Sequence, residues 1–224
     1  YNNKISFLFP SRQRVDKFFS SLDNIVQLSE SDNFEIISVL DEDDAMMNVD
    51  LVKNRIDKYE NVKYFYGLSE NKISACNREV SRISVDATII ILFSDDMRFT
   101  VKGFDQIILN DMNESFPDGD GFLHYPDSSP MGHAVPTMSI MGRKYFERDG
   151  YVYYPEFFSL YADNYAMAVS QKRGKYKFVN NPIYNHLHYR WGLAEKDEQY
   201  TRQDSKEMYI KDGSTFKKLM NQLY

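Results

Sequence analysis

The fold is decided by the stretch Ala87-Thr-Ile-Ile-Ile-Leu-Phe-Ser-Asp-Asp96. Its first seven residues are almost all apolar, which predicts a strand covered on both faces, as in a parallel sheet. The run is far too short to span a bilayer, which takes about 20 apolar residues. The chain becomes polar directly after it. We therefore expect Ser94, Asp95 and Asp96 to emerge at the carboxyl edge of a sheet.

Three earlier apolar runs, at residues 5–9, 34–40 and 62–66, alternate with segments of helical spacing. The helical segments are 15–26, with Ser11 as its expected cap, 49–59 and 73–83. This alternation predicts right-handed crossovers and a single α/β (Rossmann-like) domain, with a mostly parallel central sheet flanked by helices. Ligands of such sheets bind outside the carboxyl ends of the strands. Those ends carry Pro10, Ser11, Arg12, Asp41 and Gly67.

The second half of the chain is organised differently, with a loop-rich segment at 117–136. Short strands are predicted at 121–125, 137–141, 178–179 and 183–184, a helical turn at 143–148 and a helix at 163–172. No linker separates two domains. We expect one domain over 1–204, with a nucleotide-binding half at 1–100 and an acceptor half at 101–204, and a helical tail at 205–224 broken near Gly213.

Composition narrows the classes of function. The 224 residues carry 27 Lys and Arg against 33 Asp and Glu, a net charge of −6, so a nucleic-acid surface is not expected. Cys76 is the single cysteine and cannot form an intramolecular disulfide, which fits a reducing compartment. No basic-then-apolar leader is visible. We expect a cytoplasmic protein without an integral membrane segment, which could act peripherally at a membrane.

The adjacent carboxylates Asp95 and Asp96 are the sharpest chemical feature. Two such groups repel each other unless a cation or several hydrogen-bond donors lie between them. Mg²⁺ or Mn²⁺ bridging a diphosphate would supply that cation. From the pair alone, a solvated turn or a helix cap explains the sequence as well.

The order of these features resembles the family 2-like glycosyltransferases of GT-A fold, over about residues 4–195. Phe9-Pro-Ser-Arg12 is similar to the turn after the family's first strand, Asp41 to its nucleoside-binding acid, and Phe93-Ser-Asp-Asp-Met97 to its metal motif. Ser94 stands where many members have an aspartate. The resemblance therefore implies that Asp96 holds the metal, with Asp95 beside it.

The resemblance also implies the remaining site. His188, directly before a Tyr-Arg-Trp-Gly turn, is the favoured second metal ligand, with His186 as the alternative. Asp163 falls where the catalytic base is expected and is our choice for that role; its alternative role is the N-cap of the helix that follows. The nucleotide sugar would contact Pro10, Ser11, Arg12, Asp41, Gly67, Asn77, Arg78, Ser94 and Asp95. The acceptor side would include Asp127, Tyr153 and Trp191, although core packing also accounts for aromatic residues, which form 15% of the chain.

Three hypotheses follow for the function. The first is a metal-dependent, inverting glycosyltransferase of polysaccharide biosynthesis, which moves a sugar from a nucleoside diphosphate donor to a glycan or other hydroxyl acceptor. UDP is the expected nucleotide because Asp41 suits a pyrimidine imide, with GDP next. The second is a nucleotidyltransferase, against which the glycine-free Pro10-Ser-Arg-Gln-Arg14 argues. The third is a binding module whose catalytic site has decayed at Ser94.

Overall fold

The computed structural model describes residues 3–224, so the first two residues of the predicted 1–204 domain lie outside the described part. It contains a seven-stranded sheet and a separate two-stranded one. The strands are β1 (Lys4–Ser11), β2 (Phe34–Asp41), β3 (Val62–Gly67), β4 (Ala87–Leu92), β5 (Met97–Phe99), β6 (Phe122–His124), β7 (Ser139–Gly142), β8 (Tyr176–Phe178) and β9 (Tyr184–His186).

The large sheet has the order β3-β2-β1-β4-β7-β6-β8. Its first four strands are parallel, and β7 runs antiparallel to both of its neighbours, β4 and β6. The predicted α/β fold with a mostly parallel central sheet is therefore confirmed. Because β1, β2 and β4 lie side by side and point the same way, their polar ends meet at one edge of the sheet.

Helices cover both faces of this sheet. They are α1 (Val15–Leu28), α2 (Asp50–Ile56), α3 (Lys72–Arg78), α4 (Phe104–Ser115), α5 (Arg143–Asp149), α6 (Ala162–Lys172), α7 (Glu198–Gln203) and α8 (Lys206–Leu223). Side chains of β1 alternate between two cores: Phe7 and Phe9 pack into one, and Leu8 into the other. That alternation is the period of two expected of a strand covered on both sides.

Many of the aromatic side chains are buried in the hydrophobic core. Phe7 contacts Phe34, Phe93, Phe99 and Phe104 with its ring edge-on, at centroid distances of 6.2–6.3 Å. Such edge-to-face pairs are a preferred packing of aromatic rings. The packing explanation therefore accounts for the phenylalanines of the first half of the chain.

Several local predictions were wrong at the boundaries of elements. Ser11 does not cap the first helix: it ends β1, and α1 begins after Arg14 without a side-chain cap. The predicted helix 73–83 ends at Arg78, and a short 3-10 turn, Val80–Arg82, follows. The strands predicted at 178–179 and 183–184 lie one to two residues away, as β8 and β9.

The predicted break near Gly213 is also wrong, because α8 is continuous from Lys206 to Leu223. Tertiary packing outweighs the low helix propensity of glycine here. Leu219 of α8 is buried in the second core, and α8 packs against α6. The separation of 205–224 from the domain stays a prediction.

A search of residues 3–224 for membrane-spanning helices finds none that is long and apolar enough.

Candidate active site

A cleft of about 380 Å³ opens at the carboxyl edge of the large sheet. It brings together most of the residues singled out from the sequence: Pro10, Ser11, Arg12, Asp41, Ser94, Asp95, Asp96, Tyr153, Asp163, His186, His188 and Trp191. Four others, Gly67, Asn77, Arg78 and Asp127, are not among its lining residues. The cleft agrees in position with the general rule for open α/β sheets.

Asp41 lies at one end of the cleft between two arginines. Its Oδ2 accepts a hydrogen bond from Arg12 at 2.9 Å and its Oδ1 one from Arg78 at 3.0 Å. Arg12 also forms a bidentate pair with Asp43. A Cβ at Gly67 would lie 3.2 Å from Arg78 Nε, so the glycine leaves room for that side chain. Arg78 thus holds Asp41 by a hydrogen bond, and Gly67 leaves the space that the Arg78 side chain occupies.

Asn77 also has a structural position. Its side-chain oxygen accepts hydrogen bonds from the backbone N–H groups of Val152 and Tyr153, and its amide donates to the Tyr153 carbonyl at 2.6 Å. These three hydrogen bonds therefore connect α3 to the segment that carries Tyr153. This use of the side chain explains why Asn77 lies outside the cleft lining.

Asp95 is 3% exposed and is satisfied from within the protein. Ser11 Oγ donates to its Oδ2 at 2.7 Å, and Arg14 donates to its Oδ1 at 2.9 Å. Burial raises the pKa of Asp95, and the Arg14 guanidinium opposes that rise. Sequence reasoning missed Arg14, whose only signal was its place three residues after the end of β1.

Asp96 has a different environment. The Tyr200 hydroxyl donates to its Oδ2 at 2.8 Å, and His186 Nε2 lies 3.4 Å from the same oxygen. Burial alone would raise the pKa of Asp96, but the charge of the neighbouring His186 lowers it well below its usual value. Its Oδ1 is buried and has no hydrogen-bond partner in the described part of the chain. A buried carboxylate oxygen without a partner indicates that a ligand binds there.

Asp127 lies behind His186 and not on an open acceptor face. It is 1% exposed, its Oδ2 is 3.4 Å from His186 Nδ1, and it accepts a hydrogen bond from the Thr137 hydroxyl at 2.8 Å. Although burial lowers the pKa of His186, Asp96 and Asp127 together raise it to about 9. Asp127 thus orients the imidazole toward Asp96, and its assignment to an acceptor surface does not fit this position.

Of the two histidines, the structure places His186 beside Asp96. His188 instead accepts a hydrogen bond from the backbone N–H of Arg190 and packs its ring 4.6 Å from that of Tyr200. Burial lowers the pKa of His188 to about 4. No ion pair joins His188 to Asp96 anywhere in residues 3–224, so of the two histidines it is His186 that lies beside Asp96.

The donor set for a metal is small. Among the described residues, no three His, Cys, Asp or Glu side chains are grouped as a metal site. Asp96, with its free Oδ1, and His186, after its imidazole has released a proton, have the donor atoms that divalent cations accept. Mg²⁺ sites in phosphate-binding enzymes use one or two carboxylates and complete their coordination with substrate phosphates. The residues present fit a metal of that kind.

Asp163 lies across the cleft in the first turn of α6. The N-cap of α6 is Tyr161, so the alternative role of Asp163 as the cap is wrong. Its carboxylate accepts a hydrogen bond from the N–H of Asn164 at 2.8 Å and has no ion-pair partner within residues 3–224. Burial raises its pKa. Asp163 is therefore a carboxylate available to a ligand.

The helix α7 covers the acidic pair. Asp197, at its start, accepts hydrogen bonds from Arg14 at 2.7 and 2.8 Å and from Lys17 at 3.1 Å. The Arg14 guanidinium lies 4.1 Å from the centre of the Tyr200 ring. Tyr200 and Asp197 were not predicted, because nothing local in the sequence connects them to Asp96.

We expect Tyr200→Phe to lower the free energy of unfolding by about 1.5–3 kcal/mol, the range for a hydrogen bond to a charged group. Urea denaturation measures it. Tyr154→Phe is the matched control, because within residues 3–224 the Tyr154 hydroxyl hydrogen-bonds only to the exposed Glu156, at 3.3 Å. Equal losses in the two variants would contradict the importance of the Tyr200–Asp96 contact.

No family model matches the chain, and no curated protein does. Solved structures do match. S. aureus TarS 1–349 in complex with UDP-GlcNAc is 13% identical with a TM-score of 0.68, covering 92% of this chain and 64% of that one. The mannosyltransferase PcManGT from Pyrobaculum calidifontis, in complex with GDP-Man and Mn²⁺, is 14% identical with a TM-score of 0.60, covering 81% and 55%.

A third match is a protein named for a different activity. The 4-diphosphocytidyl-2C-methyl-D-erythritol synthase from Anaerococcus prevotii is 15% identical with a TM-score of 0.57, covering 96% of this chain and 97% of that one. The chain thus spans less than two thirds of TarS 1–349 and of PcManGT, and nearly all of the synthase. The chain has a GT-A-like glycosyltransferase fold, as its sequence resemblance implied.

Proposed function

We propose that this protein is a glycosyltransferase that moves a sugar from a nucleoside diphosphate donor to a hydroxyl acceptor, with inversion at the transferred carbon. One observation carries the proposal: the unpaired Asp163 carboxylate and the Asp96–His186 pair line the same cleft. The first group is suited to accept a proton and the second to hold a metal–diphosphate. The GT-A-like fold supports this assignment.

Asp163 acts as the general base in this proposal. It accepts the proton of the acceptor hydroxyl as that oxygen attacks the anomeric carbon from the face opposite the nucleotide. Asp163 is half-buried, and a carboxylate whose pKa is raised by burial is a stronger base than a solvated one, which suits this task. Trp191, 37% exposed at the cleft, offers an aromatic face for a sugar ring of a glycan acceptor.

Asp96 and His186 would hold Mn²⁺ or Mg²⁺ together with the donor diphosphate. When bound, the cation stabilises the negative charge that develops on the departing nucleoside diphosphate. Asp127 keeps the His186 ring in position, as carboxylates behind metal-binding histidines commonly do. Asp95, held by Ser11 and Arg14, contributes to the shape and charge of the cleft floor.

Asp41 is proposed to meet the nucleoside. Each of its oxygens already accepts one arginine hydrogen bond, and a carboxylate oxygen has a second lone pair to offer. An imide N–H of uracil can therefore still be accepted, so we favour UDP. A guanine base presents a comparable N–H, which makes GDP the next candidate.

A nucleotidyltransferase is the second candidate, favoured by the nearly full-length match to the diphosphocytidyl synthase. The turn after β1 lacks the glycine-rich, basic phosphate loop typical of that class. The two enzymes leave different products: a glycosyltransferase releases nucleoside diphosphate, and a nucleotidyltransferase releases inorganic diphosphate. A decayed binding module releases neither.

The test is a thermal-shift series with UDP, GDP, CDP and TDP, with and without Mn²⁺, followed by product analysis with the matching sugar donors. At a ligand concentration of 100 Kd, binding stabilises the native state by about 2.7 kcal/mol. For a chain of this size that raises Tm by roughly 5–10 °C. We expect the largest rise with UDP and Mn²⁺. Release of inorganic diphosphate from a nucleoside triphosphate would favour the second candidate instead.

A further inference from the structure

One face of α8 lies against the segment that leads into α6 and Asp163. The face is formed by Tyr209, Asp212, Gly213 and Phe216, which are spaced as neighbours on a helix surface. The segment consists of residues 158–161. Because Asp163 follows only two residues later, the position of this segment determines where the carboxylate lies.

Asp212 makes the polar contacts of this face. It is 0% exposed, and its carboxylate accepts the backbone N–H groups of Phe158 at 2.9 Å, Ser159 at 2.8 Å and Leu160 at 2.7 Å. It has no ion-pair partner in the described residues. A buried charge is costly unless it is compensated, and here three consecutive backbone donors compensate it. The carboxylate and the segment therefore fix each other.

Aromatic side chains also join α8 to residues 158–161. Tyr161 has a φ of 62°, an uncommon backbone conformation for a bulky residue, and it needs support from its surroundings. Its ring stacks on Phe216 at 5.4 Å and meets Tyr209 edge-on at 6.4 Å. A Cβ at Gly213 would lie 3.7 Å from the Tyr161 ring. The backbone turn before α6 is thus held by α8.

Ser159 indicates what the segment presents to the cleft. Its N–H is bonded to Asp212, while its hydroxyl oxygen is buried and has no hydrogen-bond partner among residues 3–224. Ser159 is also one of the cleft-lining residues, as are Tyr161 and Asp163. An unsatisfied buried hydroxyl beside a ligand cleft is suited to a hydroxyl group of a bound sugar.

We propose that Asp212 is a positioning residue for sugar transfer. It holds residues 158–161 so that the Ser159 hydroxyl binds a sugar hydroxyl and the Asp163 carboxylate faces the acceptor oxygen. The inference rests on the proposed function and adds to it a substrate-binding residue and the helix that supports it. Nothing in it involves the nucleotide end of the cleft.

The test compares Asp212→Asn with Leu219→Ala. Asparagine keeps the size of the side chain but has one oxygen where aspartate has two. Its NH2 group cannot accept a hydrogen bond, so the three N–H groups lose one of their two acceptor atoms. We expect kcat to fall roughly 10²-fold, the scale of a small misplacement at a reacting centre. The Kd for the nucleoside diphosphate should stay within twofold. Leu219→Ala, which opens a cavity in the second core one turn beyond Phe216 and removes none of the contacts described for this face, should lower Tm and leave kcat unchanged.

Equal kcat values in Asp212→Asn and the wild type, at equal concentrations of folded protein, would overturn the proposal. If Asp212→Asn does not fold, Gly213→Leu serves in its place: it raises the helix propensity of α8 and pushes on the Tyr161 ring. The same loss of kcat is expected, and an unchanged kcat would again overturn the proposal.

Ser159→Ala tests the substrate contact separately, because it removes only the hydroxyl and keeps the N–H bonded to Asp212. We expect KM for the sugar-bearing substrate to rise roughly 3- to 10-fold, as for one lost hydrogen bond. An unchanged KM would remove Ser159 from the proposal. Failure of the proposed function itself is recognised differently, since the wild type would then release no nucleoside diphosphate from any donor.

Discussion

Asp163→Asn is expected to lower kcat by roughly 10³-fold and to leave donor binding unchanged, because it removes the general base and nothing else. Asparagine has the same shape and can still accept the hydrogen bond from the N–H of Asn164. It cannot take up a proton. Single-turnover measurement of nucleoside diphosphate release, alongside calorimetric donor binding, separates the two effects.

Asp50→Asn is the matched control, since Asp50 is also an acid in the first turn of a helix, α2, but is exposed. Any effect of removing charge from a helix N-terminus is common to both variants. A comparable fall in kcat in the control would contradict the assignment of Asp163.

The pH dependence of the wild-type kcat is a further test of Asp163 as the base, and its direction can be predicted. The base must be ionised to accept a proton, and burial raises the pKa of Asp163 above the ordinary value near 3.9. As pH falls through that raised pKa, the carboxylate becomes protonated and kcat declines. We expect this acidic limb in the wild type and its absence from the residual activity of Asp163→Asn.

Asp96→Asn is expected to weaken Mn²⁺-dependent donor binding by roughly 10²-fold or more, since a charged oxygen is replaced by a neutral amide at a site for which we propose two protein ligands, Asp96 and His186. The free Oδ1 of Asp96 and its neighbour His186 are the basis for this expectation. Calorimetric titration of the donor with and without Mn²⁺ measures it.

Asp111→Asn provides the control for Asp96→Asn. Asp111 also accepts a hydrogen bond from a tyrosine hydroxyl, that of Tyr125 at 2.6 Å, but lies outside the cleft lining. Donor binding that is as strong in Asp96→Asn as in Asp111→Asn, and equally dependent on Mn²⁺, would show that Asp96 is not a metal ligand.

The parts of the fold that were predictable from the sequence are those set by local patterns. The strand ending at Leu92 is buried on both faces, and this requirement is visible as an apolar run interrupted by Thr88 alone. The same pattern places Asp95 and Asp96 at the edge of the sheet. It contains no information about which distant residues come to meet them.

The second metal ligand illustrates what local patterns leave open. β9 pairs with β5 so that His186 lies opposite Met97, and the N–H of Leu187 donates to the Asp96 carbonyl at 2.7 Å. That register puts His186, and not His188, beside Asp96. A pairing between segments nearly 90 residues apart has no signature in either of them.

Asp212 was unpredictable for a related reason. The sequence pattern predicts that an aspartate on a helix with many charged neighbours is solvated. Acidic side chains are almost never fully buried unless they are paired. Its partners are backbone N–H groups more than 50 residues earlier, which no side-chain pattern records.

The covering of the acidic pair by α7 has a consequence for how the chain folds. Arg14 and Asp197 are 183 positions apart, Gln13 and Gln199 are 186 apart, and Tyr200 and Asp96 are 104 apart. Contacts of such high sequence separation gain nothing until long loops have closed, and chains dominated by them fold slowly. The cleft is therefore completed only when residues 13–14 have met residues 197–199, and recovery of donor binding during refolding would report that long-range contact.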